Sequence, residues 1–192
     1  MRGRRVLLLA GALAALAVIH AAVVGRHYFV GSFDDDAGYI EVARALAHGH
    51  GLTSQLPAGY PLVSTYPPGY SALLAPIARV DGGAFLAFRV VSVVALVALL
   101  PMVWAYLGRR GLSGPMRLGV LVLLALNPVL ATFSTMVMAE LPFLVVLIAL
   151  LLAVDRWQAE GRVITWAGAA TVGAAAASLW LKEAALGLVA GL

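Results

Sequence analysis

Apolar runs close to twenty residues long recur along this chain, and their length limits the fold more than any single motif does. They cover Val6 to Val24, about Val90 to Leu107, a stretch from near Met116 that is broken at Asn127-Pro128, Leu141 to Val154, and Ile164 to Leu181. A helix needs about 20 mostly apolar residues to cross the hydrocarbon of a bilayer. Composition agrees: 62% of the 192 residues are hydrophobic and 11% charged, where soluble proteins hold about 45–50% and 25%. The expectation is an all-α, polytopic helical membrane protein. It would have about five complete spans plus a truncated sixth, all in a single transmembrane domain over 1–192. The first run is preceded by Arg2, Arg4 and Arg5, as in a signal peptide. Its apolar core is longer than the roughly 7–15 residues of a signal sequence, so it reads as an uncleaved anchor. The last run, "AALGLVAGL" after Glu183, would rise about 13–14 Å as a helix, under half of a core about 30 Å thick. The chain therefore reads as an N-terminal fragment.

Arginine placement orients these runs. With the N-terminus inside, the inner segments hold Arg2, Arg4, Arg5, Arg109, Arg110, Arg117, Arg156 and Arg162, and the longer outer segments hold Arg26, Arg44, Arg79, Arg89 and Lys182. That bias follows the positive-inside rule. It places the N-terminus in the cytoplasm and the segment 25–89 outside a bacterial or archaeal plasma membrane. The net charge of +4 is dispersed over span ends and forms no basic stripe, so nucleic acid is not an expected partner. The chain has no cysteine, which excludes thiol catalysis, disulfides and thiolate metal sites. Lys182 is the single lysine.

The segment 25–89 carries structure of its own. "DDDAGYIEVARALAHGHG" begins with Asp34, Asp35 and Asp36. An amphipathic helix is expected over about 37–48, with Tyr39, Val42, Ala43 and Leu46 on one face and Glu41, Arg44 and His48 on the other. Gly49 and Gly51 supply its stop. Pro67-Pro68 opens a second short helix, about 69–80, since proline suits the first helical turn. Both are too short to span and are expected to lie at the membrane interface.

At this point the chain resembles the polyprenyl-phosphate-sugar-dependent glycosyltransferases of the GT-C superfamily, of the protein mannosyltransferase and aminoarabinose transferase type. The resemblance rests on "DDAGYIEVARALAHG", "YPPGYSALLAPIARV" and "AFLAFRVVSVVALVALLPMVWAYLGRR" in that order. Asp35-Asp36, Tyr39, Ala43-Arg44, Pro67-Pro68, Arg89 and Arg109-Arg110 match the family pattern, and Glu140 in "MAELPF" matches its second acidic position. Tyr66 stands where the aminoarabinose group often has lysine. The resemblance implies inverting transfer of a sugar from a polyprenyl-phosphate donor to a lipid, glycan or protein acceptor on the extracytoplasmic face.

That chemistry needs a base for the acceptor, cations for the leaving phosphate and an apolar groove for the lipid. Asp35, with Asp36 second, takes the role of catalytic base by motif register. One of the three aspartates would also serve as a helix cap or as part of a solvated loop. Glu140 is assigned as the second acid, or as a residue favoured by the helix dipole in a first turn. Arg89 and Lys182 are assigned to phosphate. Arg89 also suits an interfacial side chain reaching for water, and Lys182 a neutral pair with Glu183. Tyr39, Tyr66, Pro67 and Pro68 form the substrate loop. His48 and His50 lack a third ligand, so no metal residue is assigned. The chemistry admits a divalent metal, but the sequence does not require one. The competing function class is a non-enzymatic polytopic membrane protein, a transporter half or an assembly factor. A transporter would place its ionisable residues near the bilayer midplane, whereas here they gather at the expected outer interface.

Overall fold

The computed structural model describes residues 2–24, 28–31, 34–53, 66–80, 85–161 and 164–182, without the side chains of 2–10 and Asp34. Within these the chain is helical: α1 (Arg2–Val24), α2 (Asp34–Ala47), α3 (Pro68–Val80), α4 (Phe85–Arg109), α5 (Gly114–Ala125), α6 (Pro128–Thr135), α7 (Glu140–Glu160) and α8 (Trp166–Leu181). Helices occur at both places expected in the segment 25–89, with α2 beginning at the aspartates themselves.

The expected count of spans does not hold. Among the described residues, one helix, Phe85–Arg109, is long and apolar enough to cross a membrane, or two if α5 and α6 together make one bent span. The reasons are local. Asn127 and Pro128 divide the third apolar run into helices of 12 and 8 residues, bent by 53°. The Asn127 side chain accepts from the Val129 N–H (2.8 Å) and the Leu130 N–H (3.1 Å), so the break is a helix start and not a kink within one helix. α8 has only 16 residues. α7 starts on Glu140 and ends through Asp155, Arg156 and Glu160, so charge occupies both its ends. The expected truncated sixth span lies outside the described residues.

Three turns are fixed by residue type. Gly111, at φ +80°, and Gly161, at φ +61°, hold the left-handed conformation that closes α4 and α7. Thr165 caps α8 by accepting from the Gly168 N–H at 3.0 Å. Side-chain contacts at helix ends then give direction. Ser92 near the start of α4 donates to the Met136 carbonyl just before α7 (2.8 Å), and Arg109 at the end of α4 donates to the Leu152 carbonyl late in α7 (2.7 Å). These two helices are therefore parallel. α8 runs antiparallel to α7, with Gly168 against Trp157 at one end and Lys182 against Glu140 at the other.

Two clusters of buried side chains hold the arrangement. Tyr39, Ile40 and Ala43 of α2 meet Tyr70, Leu74 and Ala78 of α3, and Phe88, Val137, Ala139 and Leu181 complete that group. The α3 residues recur at i, i+4 and i+8, one face of a helix. The second cluster joins Leu13 and Ala17 of α1 to Leu96, Leu99 and Leu100 of α4 and to Leu121, Ala125 and Leu141. α4 belongs to both and links the short helices to the longer ones.

Replacing Asn127 by Ala should remove the acceptor for two otherwise unpaired amides and lower stability by about 1 kcal/mol. Denaturant titration of the purified variant checks this; an unchanged midpoint would mean that Pro128 alone sets the start of α6.

Candidate functional site

The start of α2 is built around Asp36. Its side chain is fully buried. Oδ1 accepts from the backbone N–H groups of Gly31 (2.9 Å) and Ala37 (2.6 Å), and Oδ2 accepts from the Tyr28 hydroxyl at 2.5 Å. A carboxylate in a first helical turn also meets the positive end of the helix dipole. Both oxygens of Asp36 are thus committed to structure. Asp35, one residue earlier, is exposed. The Asp34 side chain lies outside the described residues. Of the two aspartates assigned as base, the one with a face toward solvent is Asp35.

The Tyr28 hydroxyl does more than bind Asp36. It also accepts from the Val137 N–H at 3.3 Å, three residues before Glu140. The Arg89 guanidinium lies 5.4 Å from the Tyr28 ring centroid, within range for a cation–π contact. Burial, and then the hydrogen bond to Asp36, push the Tyr28 hydroxyl well above the ordinary tyrosine range. Tyr28 therefore joins the loop before α2, the start of α4 and the approach to α7.

Glu140 is the first residue of α7, and its Oε1 lies 2.6 Å from Lys182 Nζ. The pair is partly exposed, 23% for Glu140 and 36% for Lys182. Lys182 was expected to pair with its neighbour Glu183 or to bind phosphate; its partner here is 42 residues away, and Glu183 lies outside the described residues. An ammonium has three N–H donors, so this bond leaves Lys182 donors for a second anion. Next to Glu140 sits a tyrosine group. Tyr39 stacks at a tilt on Tyr66 (centroids 5.0 Å apart) and edge-on against Tyr70 (4.9 Å). Tyr70 is buried, its hydroxyl 3.4 Å from Ser92 Oγ. Burial raises its pKa foremost, and Tyr39 and Glu140 push the same way. Gly38 is required here: a Cβ would stand 2.5 Å from a Tyr66 ring carbon. Pro67 precedes α3, and Pro68 occupies its first position.

A cavity of about 560 Å³ is lined by α3, α4, α7 and α8. Its walls are apolar: Leu73, Val90, Val94, Val145, Val146 and Trp180 among others. Pro142, Leu181 and Val90 bring the lining to within two residues of Glu140, Lys182 and Arg89 along the chain. Gly69 allows α3 this close to α8, since a Cβ there would stand 2.6 Å from the Trp180 carbonyl oxygen. A second cavity of about 370 Å³ is lined by Tyr28, Phe29, Val30, Phe85, Leu86 and Arg89.

The fold thus gathers Asp36, Tyr39, Tyr66, Arg89, Glu140 and Lys182 at one end of the helices. Sequence reasoning missed Tyr28, Tyr70 and Ser92. The signals were slight: a tyrosine eight residues before Asp36, and another directly after "PPG". His48 and His50, with ring centroids 6.5 Å apart, stand beyond the end of α2. Among the described residues no three His, Cys, Asp or Glu side chains converge as metal ligands. Asp36 is committed to its donors and Glu140 to Lys182, so these residues do not form a divalent-metal donor set.

The two raised tyrosines give a pH dependence with a definite sign. In the folded chain Tyr28 and Tyr70 keep their protons to higher pH than the ordinary value of about 10. Above that value the unfolded chain loses protons that the folded chain retains, so stability falls as pH rises; below it the contribution is intact. Tyr28→Phe should flatten that fall. At neutral pH it should cost about 1–3 kcal/mol, because buried Asp36 loses a donor. Denaturation midpoints measured against pH for both proteins decide it, and an equally steep alkaline fall in the variant would remove Tyr28 from the linkage.

No family model, curated protein or solved structure matches this chain.

Proposed function

We propose that this chain forms the donor-binding part of a membrane glycosyltransferase that moves a sugar from a polyprenyl phosphate to an acceptor on the extracytoplasmic face. The observation that carries this reading is the apolar cavity of about 560 Å³ whose lining includes Pro142, Leu181 and Val90, within two residues of Glu140, Lys182 and Arg89 along the chain. A polyprenyl-phosphate sugar has the same division, a long hydrocarbon ending in an anion and a polar sugar. The prenyl chain lies along Val90, Val94, Val145 and Trp180. Its phosphate meets Lys182 and Arg89, whose cationic groups stabilise the negative charge that grows as the sugar leaves. Asp35 takes the proton of the acceptor hydroxyl. The acceptor oxygen forms its bond to the anomeric carbon from the face opposite the phosphate, and the anomeric carbon–oxygen bond breaks with its electron pair going to the phosphate. The configuration at that carbon inverts. Tyr39, Tyr66 and the Pro67-Pro68 turn position the sugar-side loop.

A membrane setting is supported by apolar side chains that face outward on several helices. Ile19, Leu86, Val94, Leu123 and Val172 are each more than half exposed. Exposed apolar surface on this scale seeks lipid or another protein. α4 supplies the helix long enough to cross. The arginine bias puts the Glu140–Lys182 end outside.

The reading is tested by sugar transfer from a polyprenyl-phosphate donor in vesicles, using the longest natural form of the protein. Asp35→Asn should lower turnover by about 10²–10⁴-fold, the usual share of a general base, without loss of folding. Lys182→Met should chiefly weaken donor binding. Asp36→Asn should act instead through stability, since that side chain is buried and fully engaged. Near-normal transfer by both Asp35→Asn and Lys182→Met overturns the assignment.

A further inference from the structure

The helix ends opposite the Glu140–Lys182 pair carry a separate set of charges. The end of α4 brings Arg109, followed by Arg110, and the last turns of α7 bring Asp155, Arg156 and Glu160. Since α4 and α7 run parallel, these ends meet. Arg109, Arg110, Asp155, Arg156 and Ala159 line a cavity of about 570 Å³, inside the roughly 300–1,000 Å³ range of ligand pockets. Three guanidinium groups face it against one carboxylate.

Each of the three is held in place by one hydrogen bond. Arg109 Nη1 donates to the Leu152 carbonyl (2.7 Å), Arg110 Nη2 to Asp155 Oδ1 (2.8 Å), and Arg156 Nε to Glu160 Oε1 (3.1 Å). Arg110 is further fixed over the Tyr106 ring, 5.0 Å from its centroid. A guanidinium has five N–H donors in a planar fork, so each retains donors beyond these bonds. Arg117 adds positive charge from the first turn of α5. It packs against Gly108 and lies 4.4 Å from the Trp104 ring centroid, and its buried Nε has no hydrogen-bond partner among the described residues. Arginines that merely flank an apolar helix need only reach water. Here two helices aim three of them into one concavity and leave positive charge unbalanced.

We propose that this cavity binds a phosphate-bearing anion, either the headgroup of an anionic phospholipid or free phosphate. Planar guanidinium forks match the tetrahedral oxygens of phosphate in paired hydrogen bonds. The cavity is wide enough for a headgroup, and the exposed apolar residues of the neighbouring helices give acyl chains a surface. The site lies at the far end of the helices from Glu140 and stands whether or not the chain is a transferase.

The test is the denaturation temperature of the purified full chain in a neutral detergent at fixed ionic strength. Short-chain phosphatidylglycerol, short-chain phosphatidylcholine and inorganic phosphate are titrated separately. A ligand that binds only the folded chain raises the midpoint in a saturable way. Phosphatidylglycerol should do so and phosphatidylcholine should not. Arg156→Gln changes a side chain that is 70% exposed and leaves the fold alone. It should raise the half-effective concentration about tenfold, the effect of losing one charge-assisted hydrogen bond; Arg110→Gln with Arg156→Gln should raise it further. Protection by phosphatidylglycerol alone identifies a lipid headgroup, and equal protection by inorganic phosphate identifies the free anion. The absence of a saturable shift with either anion, or a shift that persists unchanged in both variants, overturns the proposal.

Discussion

The hydroxyl of Tyr28 joins parts of the chain that lie far apart in sequence. It donates to Asp36, which anchors the start of α2, and accepts from the backbone of Val137, just before α7. The bridge spans 109 residues of sequence between Tyr28 and Val137. Without it, α2 and α3 would be fastened to the longer helices mainly by apolar contact, which resists sliding poorly because it is non-directional. With it, the exposed Asp35, the Arg89 guanidinium on the Tyr28 ring and the Glu140 carboxylate keep fixed relative positions. The buried carboxylate makes this junction sensitive, since a buried polar group that loses a partner bears most of its desolvation penalty.

The Glu140–Lys182 pair and the larger apolar cavity depend on a second constraint, the close approach of α3, α7 and α8. Gly69 lets α3 touch the Trp180 backbone, and Gly168 lets α8 sit against Trp157. These contacts set where α8 ends, and therefore where Lys182 can reach. An ion pair as exposed as this one adds little to stability. Its value to the proposed chemistry is that it holds a cation at the edge of an apolar cavity with donors left over.

Charge at both ends and apolar walls between them give the helices a common polarity. One end holds carboxylates, tyrosines and the lone lysine. The other holds arginines, partly matched by Asp155 and Glu160. The proposed donor site and the proposed phosphate site occupy these opposite ends, so variants at one need not disturb the other.

Much of this was legible in the chain itself. Gly49 and Gly51 follow the end of α2, Pro67-Pro68 opens α3, and the 3.6-residue pattern gives α2 its buried Tyr39, Val42 and Ala43. These are local effects, fixed by backbone freedom and side-chain spacing within a few residues. The count of spans was not legible. Hydropathy adds up apolar residues along a run, but it cannot tell a side chain that packs on protein from one that faces lipid, and it passes over a 53° bend at Asn127-Pro128. Which of the adjacent aspartates is buried was also undecided. Asp35 and Asp36 are chemically alike, and only the arrival of Tyr28 and Gly31 selects Asp36. The pairing of Lys182 with Glu140, 42 residues away, likewise needed α7 and α8 to pack antiparallel. The sequence by itself determined that α3 opens at Pro67-Pro68 and which face of α2 is buried, because these depend on local dihedrals and side-chain spacing. Only the tertiary structure decided which charges meet, because those distances are set by packing between residues far apart in the chain.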